Sequence, residues 1–184
     1  MKKNKSSILI IYTGGTIGMK EDPADNTLKP FDFSQILKEV PELSKFACRI
    51  DSYSFSPVID SSDIEPSMWV KLVEIIREKY CFYDGFVILH GTDTMSYSAS
   101  AISFMIDNLT KPVVFTGSQL PIGVPRTDGK ENLISAVEIA SAKDDSGRAM
   151  VPEVCVYFDC LLMRANRTSK MSSDNFNAFG SPNF

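Results

Sequence analysis

At 184 residues, 43% of them hydrophobic, the chain is long enough to bury the core of one α/β domain. A formal net charge of -4 argues against a nucleic-acid binder, which carries a basic face. No apolar run approaches membrane-spanning length.

The first element is the apolar run 6–12, "SSILIIY", a strand covered on both faces. Its lysine-rich approach resembles a secretory signal. The run is too short for one and meets glycines, not a cleavage site, so a cytoplasmic protein is expected. A short helix follows over 33–40, capped near Asp32 and stopped by Pro41, then a strand over 47–55 with apolar residues partly alternating. The pattern Trp69, Leu72, Val73, Ile76 predicts a helix over 65–80, with Pro66 in its first turn and Asp63 as cap. A strand at 86–90 ("FVILH") leads through "GTDT" to a helix over 96–109 rich in small residues. The strand 111–117 is followed by the loop "SQLPIGVPRTDG" and a helix over 130–143. That helix starts near Asp128, with Glu131 three positions on as the partner in a capping box. A strand over 153–159 comes next; "CLLMRA" (160–165) either pairs with it or leads out of the sheet. The remainder is polar, aromatic and irregular.

Alternating strands and helices predict a three-layer α/β fold: a mostly parallel sheet with helices on both faces. Ligands in such sheets bind beyond the carboxyl ends of the strands. Thr16, the pair Thr92 and Asp93, and the pair Gly117 and Ser118 each follow a strand directly, so they are expected along one rim. The four cysteines, Cys48, Cys81, Cys155 and Cys160, form no C-x-x-C pair, and His90 is the sole histidine. A Cys/His zinc site is thereby nearly excluded. Cys48, Cys81 and Cys155 lie in or beside apolar segments and are expected as buried free thiols.

The turn "TGGTIG" (13–18) has three readings. It lacks the GxxxxGK[ST] spacing of a phosphate loop and the GxGxxG of a dinucleotide site. A tight bend needs the glycines but not the hydroxyls, whereas a chemical role would use Thr16. The second turn, "HGTDT" (90–94), repeats glycine before threonine and adds a carboxylate. Asp93 alone is a helix cap; beside two such turns it completes a pocket suited to a zwitterionic small molecule. Lys170 alone is a surface residue. Folded beneath the rim, it would lower the pKa of Thr92, whose hydroxyl needs such help to react. His90 belongs to the strand end, as packing behind the site.

Together "YTGGTIGM", "DSSD", "DGFVILHGTDTMSYSASAISFM", "KPVVFTGSQLP", "RTDG" with "ENL", and "NRTSK" through "FGSPN" resemble bacterial-type L-asparaginases, most nearly the cytoplasmic type I branch. The resemblance implies hydrolysis of L-asparagine, with L-glutamine left open, to the acid and ammonia, without metal or cofactor. It implies Thr16 as nucleophile, Thr92 and Lys170 as a second pair, and Asp93 as anchor for the substrate ammonium. Asp60, Ser61 and Ser62 match the segment that binds the α-carboxylate end. Gly15 and Gly91 supply tight turns, backbone N–H groups near Thr16 and Thr92 form an oxyanion hole, and the loop at Ser118 closes the pocket. A homo-oligomer, dimer or tetramer, is implied in the full-length form.

Two departures stand out. The family often places a tyrosine on the loop after TGGTIG, where this sequence has Leu28; no tyrosine lies between Tyr12 and Tyr53. Family members also continue into a smaller second domain, which completes the site of a neighbouring subunit. Residues 1–184 are therefore expected to be the N-terminal, nucleophile-bearing domain alone. The competing expectation is a non-catalytic amino-acid-binding or assembly module with the same fold. An amidotransferase subunit feeding ammonia to tRNA-linked glutamate is disfavoured by the acidic chain without an RNA-binding extension, and a nucleotide-binding domain ranks last.

Overall fold

A computed structural model describes residues 5–21, 27–30 and 36–182. Strand β1 (Ser6–Tyr12) runs into a 3-10 turn at Thr16–Gly18, then into a hairpin of β2 (Met19–Glu21) and β3 (Leu28–Pro30). Helix α1 is Ile36–Glu39, and Pro41 opens a second 3-10 turn behind it. The expected cap near Asp32 lies outside the described residues. Strand β4 (Cys48–Ser54) is followed by α2 (Pro66–Lys79), β5 (Gly85–Leu89), α3 (Met95–Met105), β6 (Val113–Thr116), α4 (Gly129–Ser141) and β7 (Val154–Phe158). The chain then folds back through β8 (Leu161–Arg164) and ends in a small hairpin, β9 (Ser169–Lys170) with β10 (Phe179–Gly180).

The main sheet has six strands in the order β4-β1-β5-β6-β7-β8. The first five are parallel and β8 is antiparallel to β7. Of the two readings of "CLLMRA", pairing holds. Alternation along β1 divides the core: Leu9 and Ile11 pack with Leu72, Ile76, Ala99 and Ile102 of α2 and α3. Ile8, Ile10 and Tyr12 pack with Leu133, Ala136 and Val137 of α4 and with Ile36 of α1. The three-layer expectation is met. All five residues of β5 and of β7 are buried, as continuous apolar strands require when both faces are covered.

Local details depart from the sequence expectations. Helix α2 has Glu65 at its N-cap with no side-chain bond. Asp63 is taken up in a 3-10 turn, its N–H donating to the Asp60 carbonyl at 3.0 Å. Helix α3 stops at Met105 rather than 109, and Asn108 beyond it adopts φ 54°. The capping box at α4 does not form. Asp128 holds the N-cap position without a cap bond, because its carboxylate accepts instead from the backbone N–H groups of Gln119 and Leu120, each at about 3 Å. Of the three cysteines expected inside, Cys155 is buried and Cys48 half-buried; Cys81 is exposed, on the turn after α2.

The strand order sets the position of the site. The chain leaves β1 toward β4 on one side, and leaves β5 toward β6 on the other. Between these two neighbours the order reverses, and a crevice opens beyond their carboxyl ends.

Candidate active site

The turn after β1 is locked to β5. Thr13 is buried, and both its N–H and its hydroxyl donate to the Leu89 carbonyl, at 3.0 and 2.9 Å. The Thr13 hydroxyl is thus structural, which leaves Thr16 as the reactive candidate of this turn. Gly15 then adopts φ 91° and ψ 167°, a conformation that side chains disfavour. A methyl at Gly15 would sit 2.5 Å from the Gly91 nitrogen and 2.6 Å from its Cα. The two motif turns therefore touch backbone to backbone, glycine on glycine.

Thr16 and Thr92 each follow one residue after that contact. Thr16 is half-buried at the head of the 3-10 turn, and its hydroxyl has no hydrogen-bond partner among the described residues. Beneath it the Tyr12 hydroxyl donates to the Gly15 carbonyl at 3.2 Å, and burial pushes the Tyr12 pKa up to about 12.

Across the crevice, Lys170 arrives on β9 from the far end of the chain. Its Nζ donates to Thr92 Oγ1 at 3.0 Å and to Asp93 Oδ1 at 2.7 Å. The lysine side chain is 15% exposed while Asp93 is 63% exposed, so the ammonium is largely covered and the acid keeps an open side.

The segment after β4 completes the cluster. Ser61 is buried, and its side chain is what a methyl on Gly91 would strike. Thr94 Oγ1 donates to the Ser61 carbonyl at 2.5 Å, fastening this segment to the second turn. Asp60 and Ser62 are exposed: Asp60 Oδ1 accepts from the Ser62 N–H and hydroxyl at 2.9 and 2.8 Å. Those two bonds hold the Asp60 carboxyl below the usual range. Ser118 is placed behind β6 on the same rim. It is 2% exposed, and its hydroxyl donates to the Leu120 carbonyl at 2.6 Å, serving the loop rather than the crevice.

Several residues without a role in the sequence reading shape this rim. The buried Asn132 amide donates to the Gly117 carbonyl at 3.0 Å and accepts from the Asp159 N–H at 3.2 Å, tying the loop after β6 to the β7–β8 turn. Gln119 Nε2 donates to the carbonyls of Ser173 and Asn175, anchoring the loop between β9 and β10. The signal was present in "RTDG" and "ENL", but such residues bond to backbone groups that only the folded loops bring near. Leu28 lies on β3 opposite Glu21 of β2, in the hairpin directly downstream of Thr16. A separate cleft of about 680 Å³ opens at the other end of the sheet. Its Lys143 and Arg148 are already paired with Asp84 and Asp144.

An open, mostly parallel α/β sheet with hydroxyls, one amine and one acid gathered at its switch point defines a small-molecule domain of Rossmann-like class. Residues 7–184 match the family model described as "Asparaginase, N-terminal", and the chain belongs to the asparaginase family. It is 43% identical over 180 residues to L-asparaginase 1 of Escherichia coli K12, an alignment covering 97% of this chain and 52% of that protein. The crystal structure of L-asparaginase I from Vibrio cholerae superposes with a TM-score of 0.85 at 41% identity, covering 98% of this chain and 52% of that one. The thermostable L-asparaginase from Thermococcus kodakarensis superposes equally well, with a TM-score of 0.85 at 35% identity over 97% of this chain and 52% of that one. The chain spans about half the length of the curated L-asparaginase it matches.

Proposed function

We propose that this chain is the nucleophile-bearing part of an amidohydrolase that converts L-asparagine to L-aspartate and ammonia. Thr16 Oγ1 attacks the side-chain amide carbon, and the resulting oxyanion is held by backbone N–H groups near Thr16 and Thr92. Collapse transfers a proton to the amide nitrogen and expels ammonia, leaving an aspartyl ester on Thr16. Water then attacks the ester carbon, releasing L-aspartate and restoring the hydroxyl. The Lys170 charge beside Thr92 Oγ1 favours the deprotonated form of that hydroxyl, so Thr92 takes and returns the proton. The open side of Asp93 receives the substrate ammonium, and Asp60, Ser61, Ser62, Gly15 and the Ser118 loop line the α-carboxylate end.

The observation that carries this reading is the double bond from Lys170 Nζ to Thr92 and Asp93, beside the contact of Gly15 with Gly91. A lone helix cap at Asp93 would need no lysine recruited from 77 residues away. The family members that the chain matches along nearly its whole length bear asparaginase names, which supports the same substrate. We place the protein in the cytoplasm, where its free cysteines stay reduced. We also read it as a homo-oligomer completed by a second domain; the exposed Tyr97 and Phe104 on α3 support a covered face.

The test is ammonia release from L-asparagine by the unsubstituted chain and by Thr16→Ala, alone and within a two-domain version. Loss in Thr16→Ala supports the assignment; near-native turnover removes Thr16 from the chemistry. L-Aspartate binding without any ammonia release would instead identify a binding module.

A further inference from the structure

The buried side-chain atoms of the described residues leave two without a hydrogen-bond partner, Glu42 Oε2 and His90 Nε2. Unpaired buried polar atoms are costly, and this second one lies directly behind the second motif turn. His90 is 2% exposed, with its ring 6.0 Å from that of Phe115 and its backbone N–H donating to the Thr116 carbonyl at 3.0 Å. Its Nδ1 lies 2.7 Å from the Gly91 carbonyl oxygen. A carbonyl only accepts, so the ring proton belongs on Nδ1 and Nε2 is left as a bare acceptor.

The Gly91 carbonyl is half of the planar peptide whose other half is the Thr92 N–H. Glycine at 91 is required for close approach, since a methyl there would meet Ser61. The same missing side chain leaves the peptide plane free to turn, and something must hold it. We infer that His90 is a positioning residue: its Nδ1–H grips the Gly91 carbonyl and, through the rigid Gly91–Thr92 peptide, aims the Thr92 N–H. The consequence for catalysis rests on the amidohydrolase reading, in which that N–H stabilises the oxyanion. Burial outweighs the Gly91 bond and keeps the ring neutral, with a pKa near 4, so the grip does not change around neutrality.

Because His90 is the sole histidine, ring-nitrogen NMR of the unsubstituted chain reads this residue alone. The expected spectrum at neutral pH shows a protonated Nδ1 and an unprotonated Nε2. A protonated Nε2, or averaged tautomers, overturns the proposal. Two variants separate grip from packing: His90→Asn keeps a donor close to the place of Nδ1, and His90→Leu keeps bulk without a donor. His90→Leu should shift the Thr92 amide resonance and lower kcat by about 10- to 100-fold with KM nearly unchanged. His90→Asn should restore most of both. Equal behaviour of the two variants in the Thr92 amide signal overturns the grip. If the unsubstituted chain releases no ammonia, the hydrolase reading fails by itself, and the ring and amide signals still decide the role of His90. If His90→Leu does not fold, the ring spectrum decides alone.

Discussion

Lys170 Nζ lies 3.0 Å from Thr92 Oγ1, joining residues 78 apart in sequence. The same amine reaches Asp93 at 2.7 Å, so one cation serves both the hydroxyl and the acid of the second motif turn. Lys170→Met removes both bonds with little change of volume. In the active form kcat should fall on the order of 10²-fold or more if the amine tunes a base, measured as ammonia release at saturating L-asparagine. A loss of only a few-fold would take Lys170 out of the proton path.

The contact between Gly15 and Gly91 makes two alanine substitutions unequal. At Gly15 the added methyl meets Gly91 backbone, and the backbone angle is itself unfavourable for alanine. At Gly91 the methyl meets the Ser61 side chain, which can rotate. Gly15→Ala should cost roughly 1–3 kcal/mol or more in urea unfolding, and Gly91→Ala less. Equal costs would show that the close approach of the turns is not what demands glycine at 15.

Burial of His90 gives a pH signature. Its pKa falls from 6.5 to about 4 in the folded chain. Between those values the unfolded chain binds a proton that the folded chain refuses. Stability from this group is therefore complete above the unfolded value and declines as pH falls toward 4. The full loss is roughly 3 kcal/mol, from about 1.36 kcal/mol per pKa unit. Comparing denaturant midpoints of the unsubstituted chain and His90→Asn between pH 7 and 4 isolates this share from the carboxylates. Parallel pH curves for the two would contradict it.

Much of this architecture can be read from the residues because of how the strands are buried. β1, β5 and β7 are apolar without interruption, so their number and parallel pairing follow, and with them the rim where Thr16, Thr92 and Ser118 fall. Side-chain partners could not be read the same way. Asp128 has the sequence context of a helix cap, yet its carboxylate serves Gln119 and Leu120, which only the folded loop places within reach. The short pairing of β9 with β10 has no periodic signal in a polar, aromatic segment, and it is what delivers Lys170. His90, read as packing, carries a bond visible only once the ring is oriented.

The Asp128 arrangement is open to test. Asp128→Ala strips an acceptor from two backbone amides and should cost roughly 1–3 kcal/mol in urea unfolding. Asp128→Asn should recover part of this, since its amide oxygen still accepts. An effect within about 0.5 kcal/mol, the range of ordinary surface changes, would show that solvent satisfies those amides equally well.

The central claim is that Thr16 becomes covalently acylated. Acid quenching during turnover of L-asparagine, followed by peptide mass mapping, measures this directly in whichever form of the protein releases ammonia. The account predicts one aspartyl group carried by the peptide containing Thr16, and none in Thr16→Ala. An acyl group on any other residue, or undiminished ammonia release by Thr16→Ala, would contradict it.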